Sequence, residues 1–431
     1  MITRQSLPLA FLVTGFGWLA LSSVLGLAVL IGLILSTPLP SWVRTVHVHA
    51  ALVGGVTQLI LGGLLTMIPP CSQTGPVRQQ GHPLAFWGFN AGVIAMLAGF
   101  WLHRPEAVNA SGMLVAGTCA WIARIAWTRA KHSPVSTPNR WYYTAAFLAL
   151  LGGIICGVTL SFPSTYEFYG YIRIAHIHLG LLGFIIVVIV GGMHSLVPTV
   201  VTAPLSSARL SHMTSVVIPL GAAGLIGGFM NSSVVIEIAA GGMLLVGGTV
   251  YAVNLVQTWM ASTHRGNAAS DHLLIGTFFF LFTIVLGILM GANSLSNPPT
   301  MPYGTLHLVA YTHMTFLGFL LNATMGFLSH HIPLLLSARR VPSNNKRVPY
   351  QEQLTTLMDR WRAIQIGGLS LGTMDLGLVA ALTWNVPLNS LYVRAATWIC
   401  FGLLLSSLLL FSVKLATALA QDPDDGSPST T

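Results

Sequence analysis

Twelve separate stretches of this chain are apolar for long enough to cross a hydrocarbon layer, and that property decides most of its architecture. A bilayer core of roughly 30 Å needs about 20 apolar residues of helix. Runs that meet the test fall near 8–36, 46–68, 83–103, 107–129, 140–162, 172–198, 208–229, 232–258, 271–292, 305–335, 360–384 and 391–420. In lipid every backbone polar group has to be bonded within the protein, so runs of this length fold as helices. Charge agrees with this reading: 7% of the residues are charged and 54% hydrophobic, where a soluble domain carries about 25% charged residues. The expected fold is an all-α integral membrane protein of about twelve transmembrane helices.

Residues rich in Pro, Gly, Ser and Asn punctuate the runs, as in Thr37–Trp42, Asn297–Gly304 and Ser337–Pro349. Met1–Ser6 leads into an apolar stretch too long for a signal-peptide core, which reads as the first helix. Gln421–Thr431 is acidic and rich in Ser, Thr and Pro, the composition of a disordered end.

Lysine and arginine set the expected orientation. With the N-terminus inside, the inner segments hold fifteen of them: Arg4, Arg78, Arg124, Arg129, Lys131, Arg140, Arg209, Arg265, Arg339, Arg340, Lys346, Arg347, Arg360, Arg362 and Lys414. The outer segments hold four: Arg44, Arg104, Arg173 and Arg394. That bias predicts cytoplasmic N- and C-termini, in the inner membrane of a bacterium. The net charge of +9 thus reflects retained loops and does not point to nucleic acid. No dinucleotide fingerprint, phosphate loop or zinc-finger spacing occurs. Cys71, Cys119, Cys156 and Cys400 are scattered, form no CxxCH for covalent haem, and read as small core residues.

The second, sixth and tenth runs share a pattern. They read HVHAALVGGVTQLILGGLLTMIP, HIHLGLLGFIIVVIVGGMHSLVP and YTHMTFLGFLLNATMGFLSHHIP. Anchored on His49, His178 and His313, each has glycine five residues on (Gly54, Gly183, Gly318) and again at thirteen (Gly62, Gly191, Gly326). Each has proline at twenty (Pro69, Pro198, Pro333), and the anchors lie 129 and 135 residues apart. This divides the chain into three units of four helices, about 1–132, 133–265 and 266–420, a pseudo-threefold bundle within one domain. A transporter built from two six-helix halves would repeat differently.

Ionisable side chains inside membrane helices are costly and mark function by default. Two residues apart on an α-helix means about 200° of rotation. The pairs His47/His49 and His176/His178 therefore cannot grip one metal from one side, but can offer one imidazole to each of two neighbouring clefts. Neutral imidazole is a good axial ligand for haem iron, and glycines beside it would admit a flat macrocycle. His47, His49, His176, His178, His307 and His313 all fall near the outer face. Arg44 and Arg173 each precede an anchor histidine by five residues, where a guanidinium suits either a haem propionate or the membrane interface. A second set, His194, His212, His330 and His331, lies at the inner face, where it fits either a metal or the headgroup region. Glu237 and Asp375 are read as the acids well inside helices, as proton relays or packing groups. The stretch Ser164–Tyr171 reads as an aromatic outer loop anchoring a helix end.

Twelve helices in three units of four, with outer histidines on the second, sixth and tenth, resemble subunit I of haem-copper oxidases and nitric oxide reductases. The HxHxxLxG…GxLLTxIP text of the second run is also similar to the NnrS family of haem-copper membrane proteins. The resemblance implies a low-spin haem b between the second and tenth helices, with His49 and His313 as favoured ligands. It implies a copper or non-haem iron at His178 or His176, and an electron-donor subunit or quinol as partner besides the lipid bilayer. The sequence departs from the pattern in three places. Tyr311 stands where a second histidine of the tenth helix would be, fitting either a ligand or a hydrogen-bonding group, with His307 one turn earlier as a substitute. The seventh helix lacks the adjacent histidine pair, its His212 lying at the cytoplasmic end. The oxidase HPEVY text is absent from the sixth. Three readings follow: a haem-bearing electron-transfer protein or divergent oxygen or nitric oxide reductase, a non-catalytic haem or copper protein in nitric oxide response, and a cofactor-free transporter.

Overall fold

The computed structural model describes residues 6–68, 83–131, 137–263, 266–293, 295, 310–383 and 385–423. Among them twelve helices are long and apolar enough to cross a membrane: α1 Leu7–Ile34, α2 Ser41–Met67, α3 Pro83–Trp101, α4 Pro105–Lys131, α5 Asn139–Thr159, α6 Ser164–Val201, α7 Ala208–Met230, α8 Val234–Ala261, α9 Ala268–Asn293, α10 Ala310–Arg340, α12 Arg362–Leu382 and α13 Leu391–Ala420. A shorter helix, α11, spans Asn344–Asp359. The protein is an all-α, multi-pass integral membrane protein. Pro69, Cys71, Arg78, Arg265, His307 and the tail from Asp424 lie outside the described residues, as does Arg4.

Helices pair in chain order. α1 packs on α2, α3 on α4, α5 on α6, α7 on α8, α9 on α10 and α12 on α13. The three repeat helices sit innermost: 72, 56 and 78% of the central stretches of α2, α6 and α10 are buried, against 22–44% in the other nine spans. Glycine makes this possible. A Cβ on Gly62 would come within 2.8 Å of Leu12, one on Gly191 within 2.6 Å of Tyr142, and one on Gly326 within 2.8 Å of Leu273. The glycines at five are equally tight, Gly54 against Trp18, Gly183 against Ala149 and Gly318 against Phe279. Both repeated glycines therefore seat α2, α6 and α10 on the helix before them, α1, α5 and α9. Their role is helix packing, not the admission of a macrocycle that the sequence suggested.

Several boundaries differ from the sequence reading. Ser337–Pro349 is not a loop: α10 continues past Pro333 to Arg340, and α11 begins at Asn344. Tyr350, Leu354 and Met358 bury one stripe of α11 at four-residue spacing against α10 and α13, while Lys346, Arg347 and Glu352 face outward or sit at the edge. Ser164–Tyr171 is not a loop but the start of α6, a 3₁₀ turn over Pro163–Phe168 that passes into α-helix at Tyr169. Glu237 stands in the first turn of α8 and not deep within it. Two cations counted as loop charges are buried. Arg129 donates to the Leu65 and Ile68 carbonyls at 3.0 and 3.2 Å, closing the C-terminus of α2. Lys414 lies within α13 and is 4% exposed. Cys119 and Cys400 are buried and free, and Cys156 is free and partly buried, as their packing role requires.

A candidate bis-imidazole site at the N-terminal ends of the repeat helices

The N-terminal third of each repeat helix is built alike. An α-helical stretch ends on the anchor histidine, and an eight-residue π-helix follows at once: Ala50–Thr57, Leu179–Ile186 and Met314–Leu321. π-Helix is rare and concentrates at functional sites. The wider turn displaces backbone hydrogen bonds, and side chains at its end meet the carbonyls: Thr57 donates to Leu52 O at 2.8 Å and Asn322 to Gly318 O at 2.8 Å. Periodicity gave no sign of these segments, because a turn of slightly different width leaves apolar text unchanged.

The imidazoles are fixed by their Nδ1 atoms. His47 meets the Ser22 carbonyl of α1 at 2.7 Å and the Ser22 hydroxyl at 2.9 Å. His176 meets the Gly153 carbonyl of α5 at 2.8 Å. His49 and His178 each meet the carbonyl four residues back on their own helix, Thr45 O and Ile174 O, at 2.9 Å. A carbonyl only accepts, so each Nδ1 carries the proton and each Nε2 presents a lone pair. Among the described residues no hydrogen bond uses the Nε2 of these four rings. This is the arrangement of a metal-ligating histidine, whose other nitrogen is tied to a carbonyl that sets tautomer and ring orientation.

The rings then pair across helices. His47 faces His313 with ring centres 6.4 Å apart and planes 6° from parallel. His49 faces His176 at 6.3 Å and 22°. A ligating imidazole nitrogen lies about 2.0 Å from its metal and about 1.1 Å from its own ring centre, so two imidazoles on opposite sides of one iron have centres about 6.2 Å apart. Both pairs match that span. The sequence had coupled His313 to His49; in the structure His313 meets His47, and His49 turns to α6. His47 and His49 serve two clefts, as their spacing on α2 requires.

Positions that sequence reading passed over hold these rings. A Cβ on Gly26 of α1 would stand 2.6 Å from His47 Cε1, and one on Gly157 of α5 would stand 2.9 Å from His176 Cε1. Gly287 of α9 takes the same place against the Tyr311 hydroxyl, at 3.1 Å. Phe100 at the end of α3 tilts against His49 with ring centres 4.5 Å apart, and Phe229 at the end of α7 does so against His178 at 4.4 Å. The repeat thus extends beyond the three histidine helices, but Gly26, Gly157 and Gly287 stand 21, 19 and 24 residues before the first position of their pairs, so a fixed period does not align them. The chain matches no family model and no curated protein.

Arg44 and Arg173 are exposed beside the clefts and make no hydrogen bond or ion pair among the described residues. No group of three or more His, Cys, Asp or Glu side chains gathers among the described residues. α7 brings Phe229 to the histidine end, while its His212 is at the opposite end of the helix. The described residues therefore gather no three-histidine copper centre, His307 lying outside them. They do fit a metal that arrives with its own equatorial ligands and needs only two axial ones.

The far ends of the repeat helices are different. His194 donates through Nδ1 to Val190 O at 2.9 Å and lies between Tyr142 and Tyr251. His331 donates to Phe327 O at 3.1 Å and stacks on Phe327 at 4.0 Å. The sequence reading omitted His272, which joins a buried chain across four helices. Lys414 Nζ donates to Gln365 Oε1 at 2.7 Å, Gln365 Nε2 to His272 Nε2 at 2.7 Å, and His272 Nδ1 to Asn322 Oδ1 at 2.7 Å. A cavity of about 360 Å³ between α2, α4 and α5 is lined by residues such as Leu64, Trp127, Arg140 and Tyr143 and by no histidine, cysteine or carboxylate.

Proposed function

We propose that this protein is a haem-bearing membrane protein of electron transfer, related in architecture to the subunit I superfamily of haem-copper oxidases and nitric oxide reductases. The observation that carries the reading is the His47–His313 pair, parallel and 6.4 Å apart between α2 and α10. Haem iron between them would supply one-electron exchange. The chain does the rest. Ser22 and Gly26 on α1 orient His47, and the opening of the α10 π-helix directly after His313 sets the reach of its ring. Noncovalent haem b suits a site with no CxxCH text. The exposed Arg44 guanidinium is placed to pair with a propionate.

The excess of Lys and Arg between alternate spans orients this end of the bundle outward in a bacterial inner membrane, with both termini cytoplasmic. Electrons would reach it from a separate subunit or a quinol. Tyr311 in place of a histidine, and an α7 without a histidine pair, favour an electron carrier over an oxygen or nitric oxide reductase.

Protein purified in detergent is expected to show a Soret band and the reduced-minus-oxidised spectrum of a low-spin b-type haem, with iron in the elemental analysis. His47→Ala and His313→Ala should each remove the haem held by this pair. A colourless, iron-free chain that moves a solute into vesicles would leave only the transporter reading.

A further inference from the structure

We infer that the cleft between α2 and α6 is a second iron-porphyrin site, with His49 and His176 as its two axial ligands. This rests on the haem reading of the α2–α10 cleft and extends it to residues which that reading does not use.

The two clefts correspond in three features. In each, one ring belongs to the first position of an His-x-His or Tyr-x-His pair and hydrogen-bonds a carbonyl on the preceding helix: His47 to Ser22, His176 to Gly153. In each, that ring lies against a glycine one turn further along the preceding helix, Gly26 or Gly157, where a Cβ would collide with Cε1. In each, the facing ring belongs to the second position of a neighbouring unit and directly precedes a π-helix: His313 before Met314–Leu321, His49 before Ala50–Thr57. The ring centres are 6.4 and 6.3 Å apart.

The chemistry of the donor set selects the ligand. His49 and His176 each spend Nδ1–H on a carbonyl, leaving each Nε2 with a lone pair, and the two rings lie with centres 6.3 Å apart within a membrane bundle. A lone pair left without a partner there is costly, so the two nitrogens suit a Lewis acid or a hydrogen-bond donor. A bare cation that takes four or more ligands would need further protein groups, and no third His, Cys, Asp or Glu joins them among the described residues. A porphyrin iron brings four equatorial nitrogens and lacks only the two axial ones. Phe100, tilted on His49, supplies an apolar wall, and exposed Arg173 stands one turn from His176 for an acidic edge of the ring system. Two such sites would flank α2 at one depth, on its opposite faces.

The test is haem stoichiometry by pyridine haemochrome on the purified full-length chain, with a potentiometric titration. Two haems per chain are expected. His49→Ala, His176→Ala and Gly157→Val should each bring the count to one, and the remaining haem shows that the variant has folded. Gly157→Val removes no ligand, so its loss reports the geometry alone. One haem per chain, unaffected by these three substitutions and lost with His47→Ala, would overturn this inference and leave the α2–α10 reading intact. One haem lost with His49→Ala and kept in His47→Ala would support the second site and overturn the first. A haem-free chain would overturn both.

Discussion

Five imidazoles at one end of the repeat helices and one imidazole deeper in the bundle show how a membrane protein assigns different work to one side chain. His47, His49, His176 and His178 each use one nitrogen on a carbonyl and leave the other uncommitted, and His313 faces His47 across a gap. These five are partly exposed to the clefts they line. His272 is fully buried, with Asn322 on one nitrogen and Gln365 on the other. Its chain has a single direction. An ammonium donates to an amide oxygen, the amide donates to the imidazole, the imidazole donates to a second amide, and Asn322 closes on the Gly318 carbonyl of the α10 π-helix. The difference lies in whether the second nitrogen is satisfied inside the protein. Satisfied on both nitrogens, His272 ties helices together; satisfied on one, His47, His49, His176 and His178 can take a ligand on the other, whereas His194, bonded alike, is enclosed by Tyr142 and Tyr251.

The largest effect that would test this contrast lies in the buried chain. Gln365→Leu removes the acceptor of Lys414 and the donor to His272 together, leaving the ammonium the Met358 carbonyl, 3.0 Å away, and the attraction of the Asp359 carboxylate. Stranding a buried charge costs about 3–5 kcal/mol, so the melting temperature in detergent should fall markedly while haem per folded chain stays unchanged. Gln365→Glu keeps an acceptor for Lys414 and should lose less. A Gln365→Leu protein of unaltered thermal stability that had lost its haem would erase the distinction between the two regions.

A middle-sized effect concerns the third unit. The pairing runs in one sense around the bundle: the second-position His49 meets first-position His176 of the next unit, and His313 meets His47. The same rule, carried to the third unit, would set His178 opposite position 311, where the chain has tyrosine. His178 is prepared like His49, with its Nδ1 on Ile174 O and its ring on Phe229. Gly287 stands against the Tyr311 hydroxyl as Gly26 stands against His47. Tyr311→His should therefore add close to one haem per chain. No gain, in a variant that keeps its other haem, would mean that the units are equivalent in fold but not at the clefts.

The fold was legible because lipid imposes a length on every helix and a bonding rule on every backbone. The apolar runs at 8–36 and 208–229 match α1 and α7 within a few residues. α11 was missed because its stripe of Tyr350, Leu354 and Met358 sits in polar text that a hydropathy scan reads as a loop. At the site, the spacing of His47 and His49 correctly implied two clefts. Which ring meets which could not be read, because partner choice depends on the rotation of three helices about their own axes. The glycines at five and thirteen fix that rotation by contact with Trp18, Tyr142 and Phe279, so the text that marked the repeat positions the ligands without touching them. The resemblance set His49 opposite His313, whereas the rings that meet are His47 with His313 and His49 with His176.

The smallest effect separates the two clefts from each other. Ser22 gives His47 a hydroxyl that Gly153, its counterpart beside His176, does not have. The Ser22 hydroxyl donates to the His47 carbonyl at 2.8 Å, so its oxygen is free to accept from Nδ1–H alongside the Ser22 carbonyl. A second acceptor on Nδ1–H makes the imidazole a stronger electron donor through Nε2, which favours ferric over ferrous iron. Ser22→Ala leaves the carbonyl bond and the ring position in place, so haem content should not change. The midpoint potential of the haem proposed on His47 and His313 should rise, and that of the haem proposed on His49 and His176 should stay unchanged. One hydrogen bond worth about 1 kcal/mol corresponds to about 40 mV for one electron, which sets the ceiling for the shift. A fall in potential, or an equal shift at both haems, would mean that the hydroxyl acts on the bundle as a whole and not through His47.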